Sequence, residues 1–271
     1  MKILYFNLGM GAAGDMLTAA LYELLSDADK QKALEAFKAF NIPGVSFVPE
    51  RSEKCGIVGT HMNVIINGTE EDESIFTGNA SACGSDSKTE SKAEGDDGAA
   101  EERAEVKDSP QKNLSLPDNV RAHFREVYKL IGKAESKAHG VPVKQVHFHE
   151  VAEADAVADI SAVCFLMEMI KPDLVVASPI NVGSGQVRCM HGIVPVPAPA
   201  TANILKGVPI YSNGISGELC TPTGAALIRH FADRFGNLPE MKVSKIGYGM
   251  GKKDFEAANC VVAMLGESVQ A

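Results

Sequence analysis

The chain has 271 residues, 45% of them hydrophobic, which is enough to bury a sizeable core in one or two domains. Its net charge of -9 is carried by one stretch: residues 69 to 109 hold 13 acidic and 4 basic side chains, which leaves 22 of each sign elsewhere. The balanced remainder has no basic stripe for nucleic acid and no basic amphipathic helix for a membrane surface.

The first residues, Met1 to Asp15, have neither the apolar h-region of a secretory signal nor the length of a membrane span, so a cytoplasmic protein is expected. Six cysteines, at 55, 83, 164, 189, 220 and 260, are scattered without a CxxC pair. That spacing argues against a disulfide scaffold, zinc finger or redox pair.

A strand is expected at Lys2–Asn7, then a glycine turn and a helix with Met16, Leu17, Ala20, Leu21, Leu24 and Leu25 at helical spacing. A second helix near Lys30–Phe40 has Ala33, Leu34, Phe37 and Phe40 on one face. Two strands follow, Val45–Pro49 and Thr60–Ile66. Thr69 to Asp108, with its flank to 112, is too poor in large apolar residues to offset its ordering entropy, and reads as a disordered acidic linker.

A helix is then expected from Asp118, capped just after Pro117, with Val120, Phe124, Val127, Tyr128 and Ile131 apolar, ending near Gly140. After an extended run at Gln145–His149 come a helix from about Glu153 to Ile170 and a buried strand at Leu174–Ser178. A helix from Pro222 to Phe235, with Thr221 as cap and Gly236 past its end, precedes strands near Met241–Tyr248 and Cys260–Leu265. Strands alternating with helices predict an α/β fold around a mixed sheet, with a disordered acidic insertion. The organisation is an N-terminal βα unit (1–68), the linker (69–112) and an α/β metal-handling block (113–271), which could form one domain with 1–68. Sites are expected on loops at strand ends.

His147-Phe148-His149-Glu150 ends the extended run. Strand residues two apart share a face at about 6 to 7 Å, so both imidazoles can converge on one ion. Asp155 and Asp159, four apart on the next helix, could ligate that ion or orient the histidines. A polar strand edge beside a capped helix is the plainer alternative. Imidazole and carboxylate suit Zn, Ni, Fe or Mn alike. Cys189 and His191 form a second pair, beside the rigid run Pro195, Pro197, Pro199; a ligand, a nucleophile and a buried core thiol are all open readings.

Gly9, Gly11 and Gly14 formally fit GxGxxG, but a second helix stands where a nucleotide fold needs an acid-ended strand. Asp15 at the helix start repels a diphosphate and favours a cation or polar ligand. Thr221, Thr223 and Gly224 open a helix whose N–H groups could hold a phosphate or carboxylate, or could simply cap it. Gly247 to Lys253 offers flexible backbone and two positive charges.

Taken together, Gly11 to Met16 (GAAGDM), His147 to Glu150 (HFHE) with Asp155 and Asp159, Asn181 to Thr201, Gly217 to Leu227 (GELCTPTGAAL) and Gly247 to Asp254 (GYGMGKKD) resemble the LarC nickel-insertion family. The resemblance implies a nickel chelatase of the lyase class. It would insert Ni(II) into pyridinium-3,5-bisthiocarboxylic acid mononucleotide, forming nickel–sulfur and nickel–carbon bonds with CTP hydrolysis, to mature the cofactor of lactate racemase. By that resemblance His147, His149, Glu150 and Asp155 hold the metal, and Cys189, His191 and Asp15 lie near the transfer. Gly11, Gly14, Thr221, Thr223 and Gly224 are the cofactor-binding residues expected.

CTP with its divalent cation is expected on a C-terminal LarC domain, supplied as a partner or by a longer frameshifted product. The oligomeric state is open, a homo-oligomer included. The family's histidine-rich tract is not carried over, since residues 69 to 109 contain no histidine, and residues 152 to 154 read Ala-Glu-Ala where Gly-Ala-Val is usual. A metal-dependent hydrolase, a non-catalytic nickel-binding scaffold and a nicotinamide oxidoreductase are the competing readings.

Overall fold

The structure, a computed structural model, describes residues 1–70, 114–143, 154–189 and 192–269. The acidic insertion from residue 71 on, the run Gln145–His149, and Glu150 and His191 lie outside the described residues. Thr69 and Glu70, expected to open the linker, pair as a short strand with Ile66 and Ile65.

Strand β1 (Lys2–Asn7) is buried along its middle, Ile3 to Phe6, as a strand covered on both faces must be. It lies at the centre of the main sheet, parallel to β5 (Leu174–Ala177) and antiparallel to β14 (Cys260–Ser268). Beyond β14 lie β13 (Met241–Met250), then β3 (Ile57–Ile66) and β2 (Val45–Lys54); beyond β5 lies the two-residue β12 (Arg234–Phe235). Strands from before and after the insertion therefore share one mixed sheet.

Period-2 alternation sorts β1 between two clusters. Leu4 and Phe6 join the main core, which takes in the helices, while Ile3 and Tyr5 pack with Val176 in a smaller cluster. Against the main core lie α1 (Gly14–Glu23), α2 (Asp27–Ala39), α3 (Asp118–His139), α4 (Ala154–Ile170) and α6 (Pro222–Phe231). The apolar face expected for α3 is the buried one: Val120, Phe124, Val127, Tyr128 and Ile131 all sit in the core. Gly140 ends α3 at φ 65°, a left-handed C-cap that glycine adopts without strain. Helix α4 is buried almost all round, because Ala156, Ala158, Ser161 and Ala162 let α1 and α3 approach closely.

Several boundaries differ from the sequence reading. The cap of α3 is Pro117, and Asp118 is the first helical residue, where its charge complements the helix dipole. Helix α6 ends at Phe231, not Phe235, because a ladder competes for the chain: Asp233 N donates to Val175 O at 3.0 Å, and Val175 N donates to Asp233 Oδ2 at 2.7 Å. Gly236 accordingly closes β12, its N–H donating to Ala177 O. The β2–β3 hairpin runs to Lys54 and Ile57 around Cys55 and Gly56, at φ 51° and 78°. Two successive positive φ values mark the tight turn that matches strand twist. Asn67 and Gly68, at φ 51° and 84°, repeat the device and lead into β4 (Thr69–Glu70).

After β5 the chain forms the short strands β6 (Ile180–Asn181), β7 (Gly183–Ser184), β8 (Gln186–Cys189) and β9 (Gly192–Pro195). Helix α5 (Pro199–Ile204), β10 (Ile210–Tyr211) and β11 (Gly217–Glu218) complete this part. The proline-rich run thus ends β9, passes a cis Val196–Pro197 bond and starts α5 with Pro199. Among the described residues no helix is long and apolar enough to cross a membrane.

Candidate functional site

Parallel strands deliver their following loops to one edge of a sheet, and ligand sites of α/β proteins form there. Here the edge is reached by β1, β5 and β13. The turn after β1 is fastened on two sides. Leu8 N donates to Ser178 Oγ (2.9 Å), Asn181 N to Leu8 O (3.2 Å) and Asn181 Nδ2 to Gly9 O (2.9 Å), joining it to the loop after β5. Ala12 N donates to Leu219 O and Thr221 N to Ala12 O, both at 3.0 Å, joining it to the segment that opens α6. Asn181 is fully buried and also accepts from Gly183 N (3.1 Å), so its one amide fixes two turns.

Two glycines of this turn are dictated by contact. Gly11 has φ 78°, and a Cβ there would lie 1.9 Å from Leu219 O. A Cβ on Gly14, the first residue of α1, would lie 2.2 Å from Asp159 Oδ2. Backbone and carboxylate of the chain itself fill the space these glycines leave, and the N–H groups of Gly11 and Ala12 already donate to Leu8 O and Leu219 O. Protein packing thus accounts for Gly11 and Gly14 of the GxGxxG spacing.

Asp159, 5% exposed, sits against the start of α1, and Asp155 is half-buried one turn earlier on α4. Such a buried carboxylate costs several kcal/mol unless partial positive charge faces it, which a helix N-terminus supplies. Asp15, in the first turn of α1, accepts from Met16 N at 2.7 Å and lies 3.8 Å from His61 Nδ1. His61 Nδ1 is 2.8 Å from Met250 O, an acceptor only, so Nδ1 carries the hydrogen and the lone pair of the neutral ring is on Nε2. His61 was missed in the sequence, where it is one polar residue in an otherwise strand-like run.

Thr221 caps α6, its Oγ1 accepting from Gly224 N at 3.1 Å; Thr223 is half-buried, and a Cβ on Gly224 would lie 2.1 Å from Ala12 O. Removing the cap, Thr221→Ala, should lower stability by about 1 kcal/mol in chemical denaturation and leave the far-ultraviolet spectrum unchanged. The loop after β13 is pinned from the hairpin: Lys54 Nζ contacts Asp254 Oδ1 (2.5 Å) and Lys252 O (3.1 Å), and Asn259 Nδ2 donates to Lys253 O (2.9 Å).

The remaining expected residues are less gathered. Cys189 is half-buried at the tip of the separate β8–β9 hairpin, paired with Gly192. Burial pushes the thiols of Cys164 and Cys220 far above their ordinary range, so neither is a thiolate at neutral pH. Among the described residues no three His, Cys, Asp or Glu side chains form a metal cage. His147, His149 and Glu150, which with Asp155 were expected to hold a metal, and His191 beside Cys189, lie outside the described residues.

These features define a mixed-sheet α/β protein with an acidic, glycine-turned loop site at the carboxyl edge of its central strands. The chain belongs to the nickel insertion protein family, whose sequence model matches residues 4–271. It is 34% identical over 270 residues to a putative nickel insertion protein of Dictyoglomus thermophilum, covering 100% of this chain and 62% of that one. It is 34% identical over 271 residues to a pyridinium-3,5-bisthiocarboxylic acid mononucleotide nickel insertion protein of Geobacillus kaustophilus, covering 100% and 61%. A protein of that same description from Desulfitobacterium hafniense is 44% identical over 153 residues, covering 56% of this chain and 38% of its own length. The chain therefore spans about three fifths of the curated relatives it matches end to end. No solved structure matches.

Proposed function

We propose that this chain is the metal-handling part of a nickel chelatase that inserts Ni(II) into pyridinium-3,5-bisthiocarboxylic acid mononucleotide. The observation that carries the reading is that Asp159 of α4 packs against Gly14 at the start of α1, beside Asp15 in that helix's first turn, in a chain that matches the family from residue 4 onward. His147, His149 and Glu150 precede α4 in the sequence, and with Asp155 they supply borderline nitrogen and oxygen ligands suited to Ni(II) as the ion to be delivered. Thr221, Thr223 and the start of α6 face the organic partner in this reading, while Cys189 lies on the separate β8–β9 hairpin.

Forming a nickel–carbon bond displaces a ring hydrogen as a proton. In this reading Asp15 accepts it, while His61, whose Nδ1 lies 3.8 Å from that carboxylate and already donates its hydrogen to Met250 O, is its neighbour and not the next proton acceptor. CTP and its divalent cation bind the part of the longer relatives that this chain does not span, so residues 1–68 and 113–271 act together as the nickel-binding unit of a cytoplasmic protein.

The test is to incubate the chain with Ni(II), CTP, a divalent cation and the pyridinium thioacid, with and without the carboxyl-terminal portion of a relative. Nickel product is followed by absorbance and CTP by chromatography. Turnover is expected with both parts and not with this chain alone. Tight nickel binding with no product in either mixture would leave a scaffold. Turnover by this chain alone would place the nucleotide site within it.

A further inference from the structure

Away from the loop edge, the far ends of α4 and α6 meet α3 in a polar cluster that the nickel-insertion reading leaves unused. His123 Nδ1 on α3 and His230 Nε2 on α6 face each other at 2.8 Å, with the rings at 72°. The other nitrogen of His123, Nε2, is 3.1 Å from Glu168 Oε1 on α4, and Asn119 Nδ2 donates to Glu168 Oε2. Glu168 is nine residues from Asp159, about 13 Å along the helix at 1.5 Å per residue, so this cluster is distinct from the loop site. All three side chains are half-buried, within reach of an aqueous ion.

We infer that His123 Nδ1 and His230 Nε2 form a second, two-imidazole site for a borderline divalent cation such as Ni(II), Zn(II) or Cu(II), completed by water. A carboxylate can only accept, so the hydrogen between Glu168 and His123 belongs to Nε2, and Nδ1 of the neutral ring presents its lone pair toward His230. A histidine that ligates through one nitrogen while donating the other N–H to a carboxylate is the usual arrangement of protein metal sites. The spacing also fits. Two nitrogens each about 2.1 Å from one ion at a right angle are roughly 3.0 Å apart, a few tenths of an ångström more than here.

The cation replaces the hydrogen that His230 Nε2 now shares with His123; the displaced proton moves to His230 Nδ1, the ring stays neutral, and the net proton count is unchanged. Burial, and then the neighbouring His123, hold His230 below the ordinary imidazole range, which keeps it a neutral ligand at neutral pH. With two protein ligands rather than four, the site is one from which an ion can exchange readily.

The inference does not rest on the nickel-insertion reading, and its test isolates it. The full chain carrying His147→Ala and His149→Ala, which removes the other imidazole pair, is titrated with Ni(II) by calorimetry. One equivalent should bind, and adding either His123→Ala or His230→Ala should weaken it tenfold or more. No binding by this chain, or binding that neither further substitution weakens, overturns the proposal. Because either substitution could loosen the three-helix junction, the unsubstituted chain is also titrated with Zn(II) and its imidazole nitrogens followed by NMR. His123 Nδ1 and His230 Nε2 should shift together while His123 Nε2 keeps its hydrogen; shifts at neither nitrogen overturn the site.

Discussion

His147→Ala and His149→Ala should each weaken the tighter class of Ni(II) binding by tenfold or more, about 1.4 kcal/mol apiece. Each removes one of the two imidazoles proposed to share the ion, and a single remaining imidazole with carboxylates and water competes poorly with bulk solvent for a borderline ion. Asp155, half-buried in the first turn of α4, belongs to the same proposed ligand set, while Asp159 one turn on is held against α1. Asp155→Asn should therefore reduce affinity less than either histidine substitution, since an amide oxygen still ligates but carries no charge. Calorimetry at fixed ionic strength decides it. If the double histidine variant binds nickel with the parent's affinity and stoichiometry, the pair has no part in holding the metal.

What could be read from the sequence follows how much local periodicity each element carries. Helix α3 was legible because its 22 residues repeat an apolar face several times, and β1 because four successive buried residues need cover on both sides. The strands β6, β7, β10 and β11 are two residues long, too short to show any period, and form through nonlocal pairing of β10 with β6 and β11 with β7. The end of α6 was misjudged for a related reason. Ala232 to Phe235 is compatible with helix, and only the nonlocal ladder to Val175 and Ala177 draws it into the sheet.

At the candidate site the same division holds. Gly11, Gly14, Asp15, Thr221 and Gly224 could be singled out because their residue types punctuate a strand–turn–helix pattern, and the fold does bring them to one edge. What spacing alone left open was what fills the turn. His61 gave no signal, and Asn181 only as the start of a family-like segment, since each acts through partners about 170 to 190 residues distant, Gly9 for Asn181 and Met250 for His61.

The turn itself supplies the sharpest test of that account, in the contrast between two of its glycines. Gly11→Val should destabilise the protein by about 3 to 5 kcal/mol, a sum of strain at a positive φ and overpacking. A β-branched residue at φ 78° is a backbone outlier wherever it occurs, and here its Cβ would also lie 1.9 Å from Leu219 O, a backbone atom that also accepts from Ala12 N and so cannot give way cheaply. Gly9→Ala meets neither obstacle. Its nearest neighbours are side-chain atoms, Asn7 Oδ1 at 3.1 Å and the Tyr211 hydroxyl at 3.8 Å, and its φ lies outside the left-handed region, so the cost should stay within about 1 kcal/mol. At roughly 2 to 4 °C per kcal/mol for a chain of this size, thermal unfolding should separate the two variants by about 10 °C. A phosphate-binding turn makes a different demand: its glycines let a ligand approach, so valine at Gly11 would cost only the strain at its φ, about 1 to 3 kcal/mol, and lose ligand affinity. A Gly11→Val protein that melts no further below the parent than that strain alone requires would therefore defeat the packing account and return the turn to a ligand-binding role.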